Sequence, residues 1–188
     1  VYRNSETEPH LAVNPTNPAN MIAGWHQDRW STGGAQSLGA ASTFNGGVTW
    51  EQVVIPFTRC SGAAPGSAGD YERASDPWIS FSPNGTAHYM ALVEKESVNA
   101  NAMVVARSTN GGRTWSPPIV IARNPAQDRV HRSLFNDKNT LTADPFDSRL
   151  VYATWTLFRN GITSLVFARS TDGGRTWSPA RPIATMGN

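Results

Sequence analysis

Cysteine is almost missing from these 188 residues: Cys60 stands alone, so no disulfide can form within the chain. That excludes a disulfide-stapled scaffold but not secretion, because a domain of this size can bury enough surface to fold without bridges. No apolar run approaches the roughly 20 residues that a membrane-spanning helix needs, so no membrane span is expected. Charge of either sign is sparse too, with 16 Lys and Arg against 14 Asp and Glu and a formal net charge of +2. Arg113, Arg123, Arg129, Arg132, Arg169, Arg175 and Arg181 form no run, which argues against a nucleic-acid partner. Neither metal-ligand spacing of the His-Glu-x-x-His or Cys-x-x-Cys type nor a phosphate-cradling glycine loop occurs, so no cofactor or metal is expected. A calcium ion held by loop carboxylates is conceivable but not indicated. No 3.6-residue periodicity is sustained, which leaves little room for helix. The start at Val1 without Met reads as a processed or trimmed product.

What is abundant is turn chemistry and tryptophan: 16 Gly, 13 Pro and 7 Trp, with 39% hydrophobic residues. Three octapeptides repeat, running from Thr43 to Trp50, from Ser108 to Trp115 and from Ser170 to Trp177, and their tryptophans lie 65 and 62 residues apart. A regular period of this kind marks stacked or radially repeated copies of one supersecondary unit. Within each copy an Asn or Asp oxygen can accept backbone N–H groups ahead of it, Gly supplies positive φ, and Trp returns the chain into apolar packing. A turn that ties itself this way is a signal of architecture rather than of chemistry.

These octapeptides resemble the Asp-box, or bacterial neuraminidase repeat, of the sialidase superfamily of β-propellers. The resemblance implies an all-β fold of four-stranded antiparallel blades, with the box joining the third strand to the fourth. Segments around the boxes repeat as well: Leu11 to Trp25 parallels Leu141 to Trp155, and Ile79 to Leu92 is a shorter middle copy. Three blades are therefore expected in one partial propeller domain, at 1–58, 70–122 and 135–188. Propellers close with four to eight blades, and sialidase-like ones resemble a six-bladed disc. Half a ring is implied, to be completed by remaining blades or by a second copy of the chain.

Expected strands are 11–13, 21–26, 39–43 and 52–55, then 78–81, 87–93, 103–108 and 119–122, then 140–143, 151–157, 164–170 and 182–184. Alternating strand direction puts the compact 1–2 turns and the three boxes on one face. The irregular stretches 27–38, 59–75, 94–102 and 123–136 gather on the other, where binding and catalysis concentrate.

First strands of propeller blades line the central axis, and an acid precedes each of them: Glu8, Asp76 and Asp137. Such carboxyls can act as acid, base or nucleophile toward a sugar, or can simply accept backbone N–H groups of the preceding loop. His26, Asp28, Arg29 and Trp30 form the chemically densest stretch: an indole stacks on a sugar face and a guanidinium forks onto a carboxylate. Trp25 is read as core, because Trp155 occupies the matching place. Tyr71 beside Glu72 has the makings of a base-activated phenol nucleophile, while Arg132 and His131 share the 123–136 stretch. Glu94 and Glu96 alternate out of a strand end. Asn84-Gly85-Thr86 fits a glycosylation sequon, or a plain turn tripeptide.

Sialidases bind the substrate carboxylate with three arginines, the first in an Arg-Ile-Pro motif where this chain has Glu8-Pro9-His10. Arg29 matches the second arginine, whereas no carboxylate between Trp30 and Leu38 matches the family's Asp acid. The resemblance thus implies a secreted, extracellular or periplasmic carbohydrate-active protein that hydrolyses glycosidic bonds of an acidic sugar or glycan. Arg29 would bind the anion, and Asp76 or Asp137 would serve as acid or base. A non-catalytic module that binds glycans or proteins is the alternative, as is a uronate lyase with His26, His131 or Tyr71 as base.

Overall fold

The computed structural model describes residues 1–126 and 134–186, whose regular structure is antiparallel strand apart from two short 3-10 turns, with no α-helix. Three four-stranded meanders follow one another. The first comprises β1 (Thr7–Val13), β2 (Met21–Arg29), β3 (Ala35–Thr43) and β4 (Glu51–Val54). The second comprises β5 (Arg73–Phe81), β6 (Ala87–Lys95), β7 (Ala100–Ser108) and β8 (Ile119–Asn124). The third comprises β9 (Leu134–Ala143), β10 (Val151–Arg159), β11 (Ile162–Ser170) and β12 (Arg181–Met186). Within each blade every strand pairs with its neighbour in sequence. A single extra pairing, Ala35 with Ala74, joins the first two blades into one eight-stranded sheet, while the third blade stays separate.

Each box satisfies its own polar groups. The hydroxyls of Thr43, Ser108 and Ser170 accept the N–H groups of Gly47, Gly112 and Gly174 at 3.0, 2.9 and 2.8 Å. The oxygens of Asn45, Asn110 and Asp172 accept the N–H groups of Thr49, Thr114 and Thr176 at 2.9, 3.0 and 2.9 Å. Burial pushes the Asp172 carboxyl up, but these bonds, with those from Ser170 and Arg175, bring it down to about 2.

Packing between blades supplies the core. Ile22, Leu38 and Phe57 meet Tyr89 and Val104 between the first and second blades, and Met90 and Met103 meet Leu141, Trp155 and Val166 between the second and third. Burying large side chains of this kind stabilises by about 1.5–3 kcal/mol each. Trp25 does match Trp155 in register, since Met21 and Val151 both pair with the first residue of a box. It lies, however, on the uncovered flank of the first blade and is only half-buried, whereas Trp155 is buried.

His88 is buried at the second interface, with Nε2 at 2.9 Å from the Ser82 hydroxyl. Desolvation, aided by Arg107, lowers its pKa to about 3. The unfolded chain therefore binds a proton that the folded chain refuses, so stability is complete above about pH 6.5 and falls as the pH drops from there toward 3. Urea unfolding across this window should show that slope, and His88→Gln should flatten it.

The two ends of the blades differ as the strand directions require. At one end the 1–2 turns meet the boxes: Gly46 N–H donates to Ala19 O at 3.0 Å, Gly173 N–H to Arg149 O at 2.8 Å, and Asn20 Nδ2 to Gly111 O at 3.0 Å. At the other end the 4–1 and 2–3 connections converge, with Glu72 N–H donating to Glu94 O at 2.8 Å. All twelve expected strands are present, and most run further toward this second end than the sequence pattern indicates. β5 starts at Arg73 rather than at 78, and β9 at Leu134 rather than at 140. The cause is a β-bulge in every inner strand, where pairing shifts and one non-glycine residue takes positive φ: Glu8 at 51°, Asp76 at 53° and Lys138 at 51°. The extra residue breaks the apolar–polar alternation and re-aims a side chain.

Candidate active site

The bulges place charged side chains where the inner strands converge. A cleft of about 250 Å³ opens at the loop end of the blades. Its walls carry the carboxyls of Glu8, Asp76, Glu94 and Asp137 and the cations Arg29, Arg73 and Lys138. An adjoining cavity of about 380 Å³ shares Thr32, Arg73, Glu94 and Phe135. Together they offer a polar, two-lobed site on a rigid sheet.

Asp76 is the junction of all three blades. Its Oδ1 accepts the Ser75 hydroxyl at 2.7 Å and its Oδ2 accepts the Lys138 N–H at 3.1 Å, while its backbone carbonyl accepts Asn139 Nδ2 at 3.0 Å. From the first blade, His26 receives the Asp76 N–H on Nε2 at 3.2 Å. That bond makes Nε2 the unprotonated nitrogen, so Nδ1–H faces Thr7 Oγ1 at 3.3 Å. His26 is 0% exposed, and desolvation lowers its pKa against the pull of Glu8 and Asp76. Glu8 Oε2, 3.4 Å from Nε2, is therefore a neighbour of a neutral ring rather than half of an ion pair.

Glu8, His26 and Asp76 are also the one group among the described residues whose ligand atoms lie close enough to hold a metal, within 4.8 Å of one another. The fit is poor. The Nε2 lone pair is taken by the Asp76 N–H, and the Lys138 ammonium stands 3.9 Å from Asp76 Oδ2.

Two carboxyls in the cleft are driven toward the protonated form. Desolvation raises the pKa of Glu94, with Glu96, Asp137 and Asp76 adding to the effect and Arg73 opposing it. Desolvation likewise raises Asp137, with Asp76 as the next cause. Arg29 contributes a guanidinium whose Nη1 is buried and, among the described residues, has no hydrogen-bond partner. Arg73 is fully engaged: it donates to Thr32 Oγ1 at 2.8 Å and Gly33 O at 2.9 Å, pairs with Glu96, and lies 4.8 Å above the Trp30 ring.

Several expected site residues sit elsewhere. Tyr71 is 5% exposed in the core between the first two blades, where burial raises its phenol. Glu72 does not reach it as a base: burial pushes its carboxyl up, and the hydroxyl and N–H of Ser97, bound at 2.5 and 3.1 Å, more than reverse this. The Tyr–Glu pair is therefore corrected, because the phenol turns inward to pack while the carboxylate anchors the 96–98 turn. Asp28 accepts the Asn4 N–H at 2.7 Å and so ties down the N-terminal segment. Trp30 has Arg73 over one face of its ring, 4.8 Å from the centroid, and is half-buried. The third blade puts Lys138, not Asp137, in register with Glu8 and Asp76, one residue from the expected match. Arg132 and His131 lie outside the described residues. Glu94, Arg73 and Lys138 are cleft residues that sequence reasoning underweights, and only the alternation of Glu94 with Glu96 hints at one of them.

Comparison with known proteins agrees with this architecture. The BNR/Asp-box repeat model matches residues 168–179. A sialidase of Bacteroides fragilis is 24% identical over 158 residues, covering 74% of this chain and 28% of that protein. An α-L-arabinanase of Penicillium chrysogenum, solved with arabinobiose, superposes with a TM-score of 0.69 at 16% identity over 97% of this chain and 50% of its own. Trypanosoma rangeli sialidase, solved with the inhibitor DANA, gives 0.58 at 16% identity, over 94% of this chain and 30% of its own. The chain thus spans half the length of one neighbour and less of the others. Fold and repeat define it as a β-propeller built from Asp-box blades. It shares that fold and that repeat with the sialidase superfamily.

Proposed function

We propose that this chain carries the catalytic face of an extracellular enzyme that cleaves glycosidic bonds in an acidic sugar or glycan. The observation that supports this reading is the juxtaposition in one cleft of Asp137, whose pKa is raised, with Asp76 and the Arg29 guanidinium. Asp137 is the proton donor to the leaving oxygen, because desolvation and the nearby Asp76 keep its proton on at higher pH. Asp76 is the second carboxyl, held by Ser75 and Lys138 and free to face the anomeric carbon or its water. Arg29, which lines the cleft, takes the substrate carboxylate through its guanidinium.

The test is an assay series on one preparation. Release of fluorophore from a fluorogenic sialoside, or of reducing ends from acidic polysaccharides, is the expected outcome. Arg29→Ala should raise KM for the acidic substrate at least about tenfold while sparing a neutral analogue, since a charged hydrogen bond contributes about 1.5–3 kcal/mol. Absorbance from unsaturated uronate would replace hydrolysis by a lyase reaction. Glycan binding without turnover would make the chain a recognition module.

A further inference from the structure

Four Asn-Gly dipeptides occur in the chain, at 45–46, 84–85, 110–111 and 160–161. With no Cβ in the way, a glycine nitrogen can approach the side-chain carbonyl carbon of the asparagine before it. Whether it does so depends on how the fold holds the two groups, and here the four sites differ.

In the first two boxes the asparagine amide is tied on both sides. Asn45 Oδ1 accepts the Thr43 hydroxyl and the Thr49 N–H, both at 2.9 Å, and its Nδ2 donates to Thr49 Oγ1 at 2.8 Å. Asn110 repeats the arrangement with Ser108 and Thr114 at 2.9, 3.0 and 2.8 Å. The Gly46 nitrogen is committed as well, donating to Ala19 O at 3.0 Å. At the third site Asn84 Oδ1 accepts the Thr86 N–H at 3.0 Å, and the Gly85 N–H donates to Ser82 O at 2.9 Å.

The fourth site is untied. Asn160 and Gly161 are the two-residue turn between β10 and β11, closed by the pairing of Arg159 with Ile162. Their φ angles of 51° and 79° are those of a type I′ hairpin turn, which selects Asn-Gly for its backbone alone. Both residues are exposed, and among the described residues neither the Asn160 amide nor the Gly161 N–H has a hydrogen-bond partner. A Cβ built on Gly161 would meet nothing within 4 Å, so the turn has room to rearrange.

We propose that Asn160 is a modification site, converted in the folded chain to aspartate and isoaspartate without an enzyme, while the other three asparagines are protected. The Gly161 nitrogen, losing its proton to hydroxide, bonds to Cγ of Asn160; the Cγ–Nδ2 bond breaks and ammonia leaves. Water then opens the five-membered imide at either carbonyl, so the net change is asparagine plus water to an acid plus ammonia. Isoaspartate routes the main chain through the side-chain carbon and adds an atom to a turn that has room for two residues, so the Arg159–Ile162 pairing should be lost. Either product adds a negative charge at the loop end of the third blade. None of this depends on the hydrolase reading.

Peptide mapping by mass spectrometry during incubation in mildly alkaline buffer tests it, with isoaspartyl methyltransferase labelling to separate the two products. In the folded chain Asn160 should convert at least about tenfold faster than Asn45, Asn84 or Asn110, a modest difference in barrier. In concentrated urea the four rates should draw together, because only local sequence remains. Asn160→Gly, which keeps the turn type, should remove the fast-forming product and leave far-UV circular dichroism unchanged. Conversion of Asn45 or Asn110 as fast as Asn160 would overturn the proposal, as would four equally slow sites in the folded chain. The same spread of rates in urea would show that the fold does not select the site and would overturn it too.

Discussion

Asp137→Asn should lower turnover of a cleaved glycan by about 10²–10⁴ while leaving KM nearly unchanged, the range by which positioned acid–base groups contribute. Asparagine keeps an oxygen to accept the Lys138 N–H that Asp137 holds at 2.9 Å, so the bulge should survive and the loss should be chemical rather than structural. Steady-state kinetics beside a thermal melt will separate the two. A companion variant tests the cause. Asp76 raises the pKa of Asp137 by like-charge repulsion, so Asp76→Asn should move the alkaline limb of any residual activity to lower pH. Full activity in both variants would remove this pair from the reaction.

Trp155→Ala should produce the largest loss of stability, about 3–5 kcal/mol, as large-to-small substitutions of buried aromatics do. For a chain of this length that is roughly a 10 °C fall in Tm. Two losses combine. The cavity opens between the second and third blades, and the indole N–H no longer reaches Asn136 Oδ1 at 2.8 Å. Asn136 in turn holds Asn101 at 2.9 Å, so a buried amide ladder loses its end. Trp25→Ala removes the equivalent ring from the uncovered flank of the first blade, where it is only half-buried, and should cost less than half as much. Equal losses at the two positions would mean that the flank of the first blade is already covered.

The blades are legible in the sequence because their signals are local. The box motif, the Pro and Asn turns and short β-rich runs such as 87–93 all act within a few residues, and each expected strand is present. The inner strands read short for a physical reason. Glu8, Asp76 and Lys138 sit in bulges, and an inserted polar residue of positive φ looks like loop to any reading based on alternation. The same blindness shapes the site. Asp76, Asp137, Glu8 and Arg29 stand out by their place before or after a strand, and all four line the cleft. Tyr71 and Glu72 pair only by adjacency, but adjacent residues in extended chain point apart, and here one packs while the other binds Ser97. Glu94 and Arg73 acquire their importance only from neighbours on other strands, which no spacing in the chain displays.

The recurrent kink near the axis has a consequence for variation. Because Glu, Asp and Lys all occupy it with φ near 50° in the three blades, the backbone there tolerates side chains of either sign without help from glycine. The hub of the disc can therefore exchange one charge for another while the surrounding sheets keep their register, so that ligand preference can drift on an unaltered frame.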